Sequence, residues 1–595
     1  MENELYLGQC DLVMTGGADL LTDIGSFVSF SKTGALSKTG DCRPFSKDAD
    51  GTVIGEGIVL VALRRLEDAE RDGDKIYAVI RGHGTSSDGR GSAIYAPRAE
   101  GQIRAMRRAY ESAGYSPETV GLVEAHGTGT PLGDATEVAS MSEVFAGPER
   151  TRRCALGSVK SQIGHAKTSA GAVALFKMAH ALRHKILPPT IKVTEPNDQL
   201  LKEDCPLYLN TQARPWVSGA DQPRRASLSA FGFGGTNAHL TLEEYVGPNE
   251  ADRRLKFPVQ LFMASGEDRA AVLAQASALA TKASAGYAFD GLARQSQSTF
   301  DAGAPARLSL VARDATALSA LIEKVGGLLD KTGGLPAEFD GASYAEGAPL
   351  GGDVAFLFPG QGSQYVGMAS GVAMHFDSAR APWDEDARRA DVDGGPAMHD
   401  VVFPEPALTD EARAAQETAL RATEMTQPAL ALASLSYLSV LNELGVRAKS
   451  HVGHSFGEIM ALHAAGAFSA DTAVALAHKR GALMRAAGGD AKGAMLAVSL
   501  GRDAVLGKIK EAGADIAIAN ENAPDQIVIS GREDEIAKVE RVLAPGASRR
   551  LPVASAFHSP MVAGAAPEFR AYLADVWTTP PQRTVIANVN AAAYG

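Results

Sequence analysis

A serine at position 455 lies in the run Gly453-His-Ser-Phe-Gly457, between an apolar stretch and a helix-like stretch. This pattern is typical of a nucleophile elbow, a sharp strand-to-helix turn that exposes a serine hydroxyl at the end of a sheet. The two glycines relieve crowding that a Cβ would cause in so tight a turn. The sequence therefore makes Ser455 a candidate acyl-carrying nucleophile, and the alternative reading is an ordinary glycine-rich turn.

A nucleophilic serine needs a base and an oxyanion hole, and both can come from distant parts of the sequence. The candidate base is His558, one of 13 histidines, which follows a predicted strand in the run Ala-Phe-His-Ser-Pro. The backbone N–H of Phe456 is one candidate oxyanion donor. A second is the N–H of Gln361, whose flanking glycines let its backbone approach a substrate closely.

Arg480 stands in an otherwise apolar, helix-like run at residues 477–484. A guanidinium in such a place could hold a substrate carboxylate through two parallel hydrogen bonds. The alternative is a solvated arginine on a helix face, and the residues alone leave both readings open.

The elements that must position these residues form three blocks with α/β texture, at residues 1–244, 245–350 and 351–595. A Gly/Ala/Pro-rich stretch at 332–352 predicts a linker. Inside the third block, residues of about 493–554 have the predicted order β-α-β-β-α-β. That order predicts an inserted ferredoxin-like unit.

Composition excludes several classes of function. The 595 residues carry 58 basic and 70 acidic side chains, a net charge of -12, which disfavours nucleic acid and anionic membranes as partners. No apolar run is long enough to span a membrane, and the acidic start is not a secretory signal. The four cysteines lack metal-site or disulfide spacing, so we expect no metal and a cytoplasmic location.

Four motifs of the third block, in order and spacing, resemble the malonyl-CoA:acyl carrier protein transacylases, including the acyltransferase domains of polyketide and fatty acid synthases. The motifs are Phe358-Pro-Gly-Gln-Gly-Ser-Gln364, Gly453-His-Ser-Phe-Gly-Glu458, Arg480 and Ala556-Phe-His558. The resemblance implies an α/β-hydrolase-like acyltransferase in which Ser455 takes the acyl group from coenzyme A. His558 would be the general base, oriented by a backbone carbonyl.

The same resemblance assigns further roles in the third block. The amides of Gln361 and Phe456 would bind the oxyanion, and Arg480 would pair with the malonyl carboxylate. His454 and Phe557 would contact the substrate, and the phenyl ring of Phe557 would fill the room that an α-methyl group needs, which favours malonyl by only about 1–3 kcal/mol.

Three glycine-rich runs mark the first block: Glu124-Ala-His-Gly-Thr-Gly-Thr130, Ser158-Val-Lys-Ser-Gln-Ile-Gly-His165 and Phe231-Gly-Phe-Gly-Gly-Thr-Asn237-Ala-His239. His126 and His165 lie in two of these runs, which follow predicted strands. Two neutral imidazoles could donate hydrogen bonds to one developing enolate oxygen. The alternative is that all three runs are structural loops.

These runs resemble the C-terminal half of a β-ketoacyl synthase, a condensing enzyme of thiolase-like fold, and most closely that of polyunsaturated fatty acid and enediyne polyketide synthases. The resemblance makes His126 and His165 the paired histidines of decarboxylation and condensation. Lys160 would be the supporting lysine. Thr128 and Thr130 would contact a phosphopantetheine arm, and Phe231 and Phe233 would belong to a gating loop.

Condensation also needs a cysteine nucleophile at a helix N-terminus, where the helix dipole lowers its pKa. Cys10, Cys42, Cys154 and Cys205 match no such context. We therefore expect an incomplete ketosynthase that lacks its N-terminal half, an interdomain linker, and an acyltransferase that stops short of its usual end.

The expected partners are an acyl carrier protein that supplies phosphopantetheine, the missing synthase parts, and a second ketosynthase copy in the intact homodimer. Malonyl-CoA would be the substrate. Two alternatives stay open: a serine hydrolase or thioesterase that uses the same elbow, and a non-catalytic docking or dimerisation fragment whose apolar surface binds partners.

Overall fold

The computed structural model describes residues 2–594 except 90–95, 148–152, 220–221, 252, 254–256, 337–338, 349–350, 394–395, 489–492, 552–555 and 577. The chain divides into two compact units. One comprises Met1–Arg253 with Ala355–Gly595, and the other comprises Arg254–Val354. Across the described residues, no helix combines the length and the apolar character that crossing a bilayer would require.

A six-stranded mixed sheet forms the centre of the first block. Its strands, in spatial order, are Val79–Ser87, Thr236–Glu243, Arg225–Gly232, Leu122–Glu124, Cys154–Gly157 and Leu207–Leu209. The last three are buried at every position. Strands covered on both faces need continuous apolar sequence rather than alternation, which explains the short apolar runs in this block.

Helices cover this sheet, and the main ones are Ala99–Ala113, Pro131–Phe145 and Ala170–His184. Two glycines on the first-named strand allow one helix to approach closely. A Cβ at Gly82 or Gly84 would lie 2.3 Å from the carbonyl oxygen of Ala109 or 2.1 Å from that of Ala105. The smaller elements are the helices Glu2–Tyr6, Leu66–Asp72 and Lys160–Ile163, the short 3₁₀ turns Pro117–Thr119, Lys167–Ser169 and Asp198–Leu201, and the strand pair Ile186–Leu187 and Arg214–Pro215.

A two-stranded antiparallel sheet also belongs to the first block. It pairs Val13–Asp19 with Gly57–Leu63, and the helix Ile24–Lys32 lies between these strands in the sequence. One face of this sheet is apolar and exposed, since Met14, Ile58 and Leu60 are each at least 60% accessible.

The unit Arg254–Val354 has three antiparallel strands, Gln260–Gly266, Ala306–Ala312 and Ala342–Glu346, and three helices, Arg269–Ser284, Phe289–Ser298 and Ala315–Thr332. Asp268 and Asp314 cap two of the helices through side chains that accept backbone N–H groups. The strand Ala342–Glu346 lies in the stretch predicted as a linker, so that prediction was wrong. Its pairing with Ala306–Leu310 supplies hydrogen bonds that local composition does not reveal.

The third block is built on a parallel sheet whose strands, in spatial order, are Ala355–Phe358, Ser450–Gly453 and Thr584–Ile586. Its helices are Ser370–His375, Asp377–Asp393, Met398–Val402, Asp410–Arg421, Thr423–Glu443, Gly457–Ala464, Ala470–Gly488 and Ala565–Ala574, with a 3₁₀ turn at Pro560–Val562. The fully buried Trp383, Phe456 and Met460 belong to its core.

A four-stranded antiparallel sheet interrupts this block. Its spatial order is Ala517–Ala523, Gln526–Arg532, Gly493–Val498 and Ser548–Arg550, with the helices Arg502–Ala512 and Glu533–Val542. The predicted sequence of elements is therefore observed, with ends that differ by a few residues. The predicted last strand at 549–554 runs into residues 552–555, which lie outside the described part.

Buried ion pairs join the first and third blocks. Arg224, whose side chain is 7% exposed, pairs with Glu244 at 2.9 Å and with Asp384 of the helix Asp377–Asp393 at 2.7 Å. Arg380 of the same helix reaches Asp384 at 3.1 Å. These contacts hold the third block against the first.

Candidate active sites

The nucleophile elbow has the geometry that its sequence predicts. The strand Ser450–Gly453 ends at the turn, and the helix Gly457–Ala464 begins directly after it. Ser455 has φ +52, a left-handed conformation that is costly for a residue with a side chain and is typical of this turn. A Cβ at Gly453 would lie 2.0 Å from the carbonyl carbon of Gly457, so the first glycine is sterically required.

Ser455 and His558 meet although 103 residues separate them. The Oγ of Ser455 lies 2.8 Å from Nε2 of His558. Desolvation, followed by the positive charge of Arg480 and the nearby His454 ring, lowers the pKa of His558 to about 4. The imidazole is therefore neutral at physiological pH, and neutral imidazole is the form that accepts a proton.

The two candidate oxyanion donors lie beside the serine. Within the described residues, neither the N–H of Gln361 nor that of Phe456 donates to an acceptor. Gly457 lets the loop that carries Gln361 pass close to the elbow, because a Cβ there would be 2.1 Å from the carbonyl oxygen of Phe358. The side-chain Nε2 of Gln361 is also buried without a partner among these residues, which leaves a donor for a bound molecule.

Arg480 lies on the helix Ala470–Gly488, where its side chain is half-buried rather than fully solvated. Its Nη1 donates to Oε1 of Gln427 at 2.8 Å. Desolvation lowers the pKa of Arg480 to about 10, and the nearby carboxylate of Glu458 opposes that shift. The guanidinium stays charged at neutral pH, and only one of its hydrogen bonds is formed within the described protein, so it can still bind an anion.

His454 and Phe557 directly precede Ser455 and His558 in the sequence. Nε2 of His454 lies 3.0 Å from Oδ1 of Asn522, on the edge of the inserted sheet. Phe557 is 4% exposed and packs in a cluster with Met484, which lies on the helix that carries Arg480.

The paired histidines of the first block also meet. The ring centroids of His126 and His165 are 5.3 Å apart, and Phe231 lies 6.0 Å from His126. The N–H of Lys167 donates to Nδ1 of His165 at 3.0 Å, which places the proton of the neutral ring on Nε2. Burial is the largest cause that lowers both histidine pKa values, that of His165 to about 3 and that of His126 well below its ordinary value.

Of the other residues predicted for this site, some contact the histidine pair or each other, and one lies away from it. The Nζ of Lys160 donates to the carbonyl oxygen of His126, and burial lowers the pKa of Lys160. The hydroxyls of Thr128 and Thr130 are 2.9 Å apart. Phe233 is 62% exposed and faces Phe30 at 6.0 Å, so it does not share the position of Phe231.

Sequence reasoning missed several polar residues that organise the two sites. Glu137 accepts the N–H groups of His126 and Gly127, both at 2.7 Å. Gln427 holds Arg480, and Asn588 and Glu458 contact the elbow or its supports. Glu458 is part of the recognised motif and could have been singled out, whereas Asn588 and Gln427 reach the site only through long-range folding.

Four sequence families match successive parts of the chain. They are described as the β-ketoacyl synthase N-terminal domain at residues 1–69, its C-terminal domain at 77–194, the ketoacyl-synthetase C-terminal extension at 196–307 and the acyl transferase domain at 355–593. The chain therefore contains ketosynthase and acyltransferase domains, and it is similar to the corresponding parts of polyketide and polyunsaturated fatty acid synthases. The acyl transferase match makes residues 355–593 an acyltransferase domain.

Two relatives are similar to nearly the whole of this chain. A polyunsaturated fatty acid synthase polypeptide of Thraustochytrium sp. is 34% identical over 100% of this chain and 22% of its own length. Polyketide synthase GfsB of Streptomyces halstedii is 35% identical over 99% of this chain and 10% of its own. The chain thus spans less than a quarter of either relative. The ketosynthase from module 6 of the Bacillus subtilis bacillaene synthase is 34% identical, with 58% of this chain and 59% of that chain covered and a TM-score of 0.40.

The family matches confirm the predicted ketosynthase and acyltransferase parts, and the helices and strands of the structure agree with the predicted α/β class. One detail is corrected. Residues 1–69 match the N-terminal ketosynthase family, so the first block is not drawn from the C-terminal half alone. The extension match also crosses the predicted boundary between residues 244 and 245.

Proposed function

We propose that the acyltransferase domain moves a malonyl group from malonyl-CoA to the phosphopantetheine thiol of an acyl carrier protein, through Ser455 and His558. The observation that carries this proposal is the 2.8 Å contact between Oγ of Ser455 and Nε2 of His558, with the half-buried Arg480 close enough to influence the His558 pKa.

The reaction has two halves with one proton relay. His558 accepts the proton of the Ser455 hydroxyl while Oγ attacks the thioester carbonyl carbon. The resulting oxyanion accepts hydrogen bonds from the N–H groups of Gln361 and Phe456. The C–S bond then breaks, and His558 returns the proton to the departing coenzyme A sulfur. In the second half, the carrier thiol gives its proton to His558 and its sulfur attacks the acyl-serine carbonyl carbon. The bond between that carbon and Oγ then breaks, and His558 passes the proton to Oγ of Ser455.

Arg480 selects the acyl group. A guanidinium binds a carboxylate through two parallel charge-assisted hydrogen bonds, which an acetyl group cannot accept. The hydrogen bond from Arg480 to Gln427 fixes the orientation of the guanidinium. Partial burial of Arg480 strengthens the interaction because water competes less for its charge. The proposed substrate is therefore a dicarboxylic acyl thioester.

Phe557 favours malonyl over its α-methyl homologue. The ring is nearly inaccessible and cannot move without disturbing the cluster that contains Met484. His454 and Phe557 would then border the acyl group on opposite sides, and the selectivity against an extra methyl group is about 1–3 kcal/mol.

The four-stranded inserted sheet is proposed to be the ferredoxin-like subdomain of the acyltransferase. Its strand order, with the first and third strands of the unit adjacent in the centre, supports this assignment. The contact of Asn522 with His454 places one edge of the inserted sheet at the elbow.

In the ketosynthase part, we propose that His126 and His165 donate hydrogen bonds to a thioester enolate, with Lys160, Thr128, Thr130, Phe231 and Phe233 in supporting roles. The Nε2 proton of His165 supports this role. Phosphopantetheine on a carrier protein would deliver that thioester. The proposed thiolase-like part is expected to bind but not to condense it, because the chain's cysteines lack the required placement.

The test is transfer of radiolabelled malonyl from malonyl-CoA to a purified carrier protein by this chain. We expect label on the carrier with the wild-type chain and none with Ser455→Ala. Rapid malonate release that is unaffected by the carrier would instead indicate the hydrolase alternative, and absence of both products would favour the docking-fragment alternative.

A further inference from the structure

Asn588 contacts the backbone at the nucleophile itself and two residues before it. Its Oδ1 accepts the N–H of Ser455 at 2.8 Å, and its Nδ2 donates to the carbonyl oxygen of Gly453 at 2.6 Å. Asn588 follows the strand Thr584–Ile586, which neighbours the strand that leads into the elbow. One carboxamide therefore bridges the residue before the turn and the residue at its apex.

Two further residues hold Asn588 in place. Its own N–H donates to Oε1 of Glu458 at 2.9 Å, and the hydroxyl of Tyr594 donates to the same oxygen at 2.6 Å. Glu458 lies in the first turn of the helix that follows the elbow. These hydrogen bonds form a network that connects the strand before the elbow, through Asn588 and Glu458, to the helix after it.

This network supports the strained backbone conformation of Ser455. Ser455 has a positive φ, and such residues keep their conformation only where their surroundings determine it. The carboxamide also occupies the N–H of Ser455 itself. The oxyanion donors that stay available are then the N–H groups of Phe456 and Gln361.

We propose that Asn588 is a positioning residue that holds Oγ of Ser455 in line with His558, with Glu458 and Tyr594 as its supports. Asn588 forms and breaks no covalent bond and does not touch the reacting atoms. The proposal rests on the function proposed above only in so far as Ser455 is the nucleophile; it does not depend on the identity of the acyl donor.

The experiment compares the wild-type chain with Asn588→Ala. One measurement is the rate at which a fluorophosphonate probe labels Ser455, and the other is kcat and KM for malonyl transfer to a carrier protein. We expect labelling and kcat to fall about 10- to 100-fold with KM nearly unchanged, since misplacement by ~1 Å can cost ~100-fold in rate. The ratio of malonyl to acetyl transfer should not change, because Arg480 is untouched.

Asn590→Ala is the matched control. Asn590 lies two residues away, and its Oδ1 accepts only a local N–H, that of Ala592 at 3.0 Å, among the contacts of the described residues. We expect this variant to label at the wild-type rate. Equal losses in both variants, or an Asn588→Ala chain with unchanged labelling, would overturn the proposal. A rise in KM with kcat unchanged would do the same, because it would show a role in substrate binding.

Tyr594→Phe keeps the test informative if Asn588→Ala does not fold. It removes a single hydrogen bond to Glu458 and should slow labelling about 5-fold, as the loss of ~1 kcal/mol implies. An unchanged labelling rate of Ser455 in a folded Tyr594→Phe chain would count against a role for this network. If wild-type Ser455 reacts with the probe but malonyl-CoA does not load it, the acyl-donor assignment fails while the role of Asn588 is still measured.

Discussion

At the scale of single residues, the proposed base His558 should set the pH range of the acyltransferase. Its folded pKa of about 4 lies below the ordinary value of 6.5. The reactive, neutral form therefore persists as the pH falls below 6.5 and is lost only as the pH passes through about 4. The labelling rate of Ser455 by a fluorophosphonate, which carries no group that titrates in this range, should be flat from pH 8 to about pH 5. A pH midpoint of the labelling rate near 6.5 would show that the surroundings of His558 do not lower its pKa.

Arg480 carries the second prediction at this scale. Arg480→Ala removes the charged donors proposed for the malonyl carboxylate, so malonyl loading should fall about 10- to 100-fold in kcat/KM. Acetyl loading should stay the same or rise. In the wild-type chain, binding of an uncharged acyl group takes water from the guanidinium without giving it a carboxylate, and the variant does not have this cost.

Arg485→Ala is the control for this prediction. Arg485 lies on the same helix, but its side chain is 65% exposed and pairs with Glu424. We expect it to leave both substrates unaffected. A parallel loss of malonyl and acetyl loading in Arg480→Ala would show that Arg480 supports the fold rather than substrate choice.

At the scale of elements, the elbow depends on how closely a helix start approaches a strand end. Gly457→Ala would place a Cβ 2.1 Å from the carbonyl oxygen of Phe358 and push away the loop that carries Gln361. We expect a loss of about 1–3 kcal/mol in the free energy of unfolding and a large loss of Ser455 reactivity.

Gly507→Ala provides the comparison. Gly507 lies inside the helix Arg502–Ala512, where an added Cβ would have no neighbouring atom within 4 Å. Alanine there should stabilise the chain by up to about 1 kcal/mol. Thermal unfolding should show a lower melting temperature for Gly457→Ala and a higher one for Gly507→Ala. Equal melting temperatures would show that the close packing at Gly457 does not determine the stability of the fold.

Local motifs made part of this site predictable from sequence. The elbow around Ser455 is encoded within five residues, and resemblance to a family identified His558, which the structure brings to hydrogen-bond distance. Asn588 could not be found in this way, since 133 residues separate it from Ser455 and asparagine commonly occurs in turns. The strand Ala342–Glu346 was missed because its stability comes from a partner strand and not from its own composition.

At the scale of the whole molecule, Arg224 links the ketosynthase and acyltransferase parts. Arg224→Ala would remove the closest cation of Glu244 and one of the two cations that pair with Asp384, which keeps Arg380. Breaking a buried pair on one side costs about 3–5 kcal/mol, whereas loss of an exposed pair costs at most about 1 kcal/mol. Urea unfolding should show this difference against Arg413→Ala, whose partner Asp410 is 92% exposed. Equal stability of the two variants would mean that the interface does not depend on these charges.

The ketosynthase part gives a prediction about the chain's own chemistry. Cys42, Cys154 and Cys205 are buried, and Cys10 lies before the strand Val13–Asp19 rather than at a helix N-terminus. Burial also raises the pKa of the Cys42 thiol, which disfavours the reactive thiolate. We expect no condensation of an acyl thioester with a malonyl carrier protein by this chain, measured by mass spectrometry of the carrier. Turnover would show that one of these cysteines acts as a nucleophile.

The central claim is that Ser455 receives the acyl group with the help of His558. The most direct measurement is peptide mapping by mass spectrometry after brief incubation of the chain with malonyl-CoA. We predict a malonyl group on Ser455, none at that position in Ser455→Ala, and loading slowed about 100- to 10,000-fold in His558→Ala, the range expected for loss of a general base. Malonyl found on another residue, or full loading of Ser455 without His558, would contradict the account.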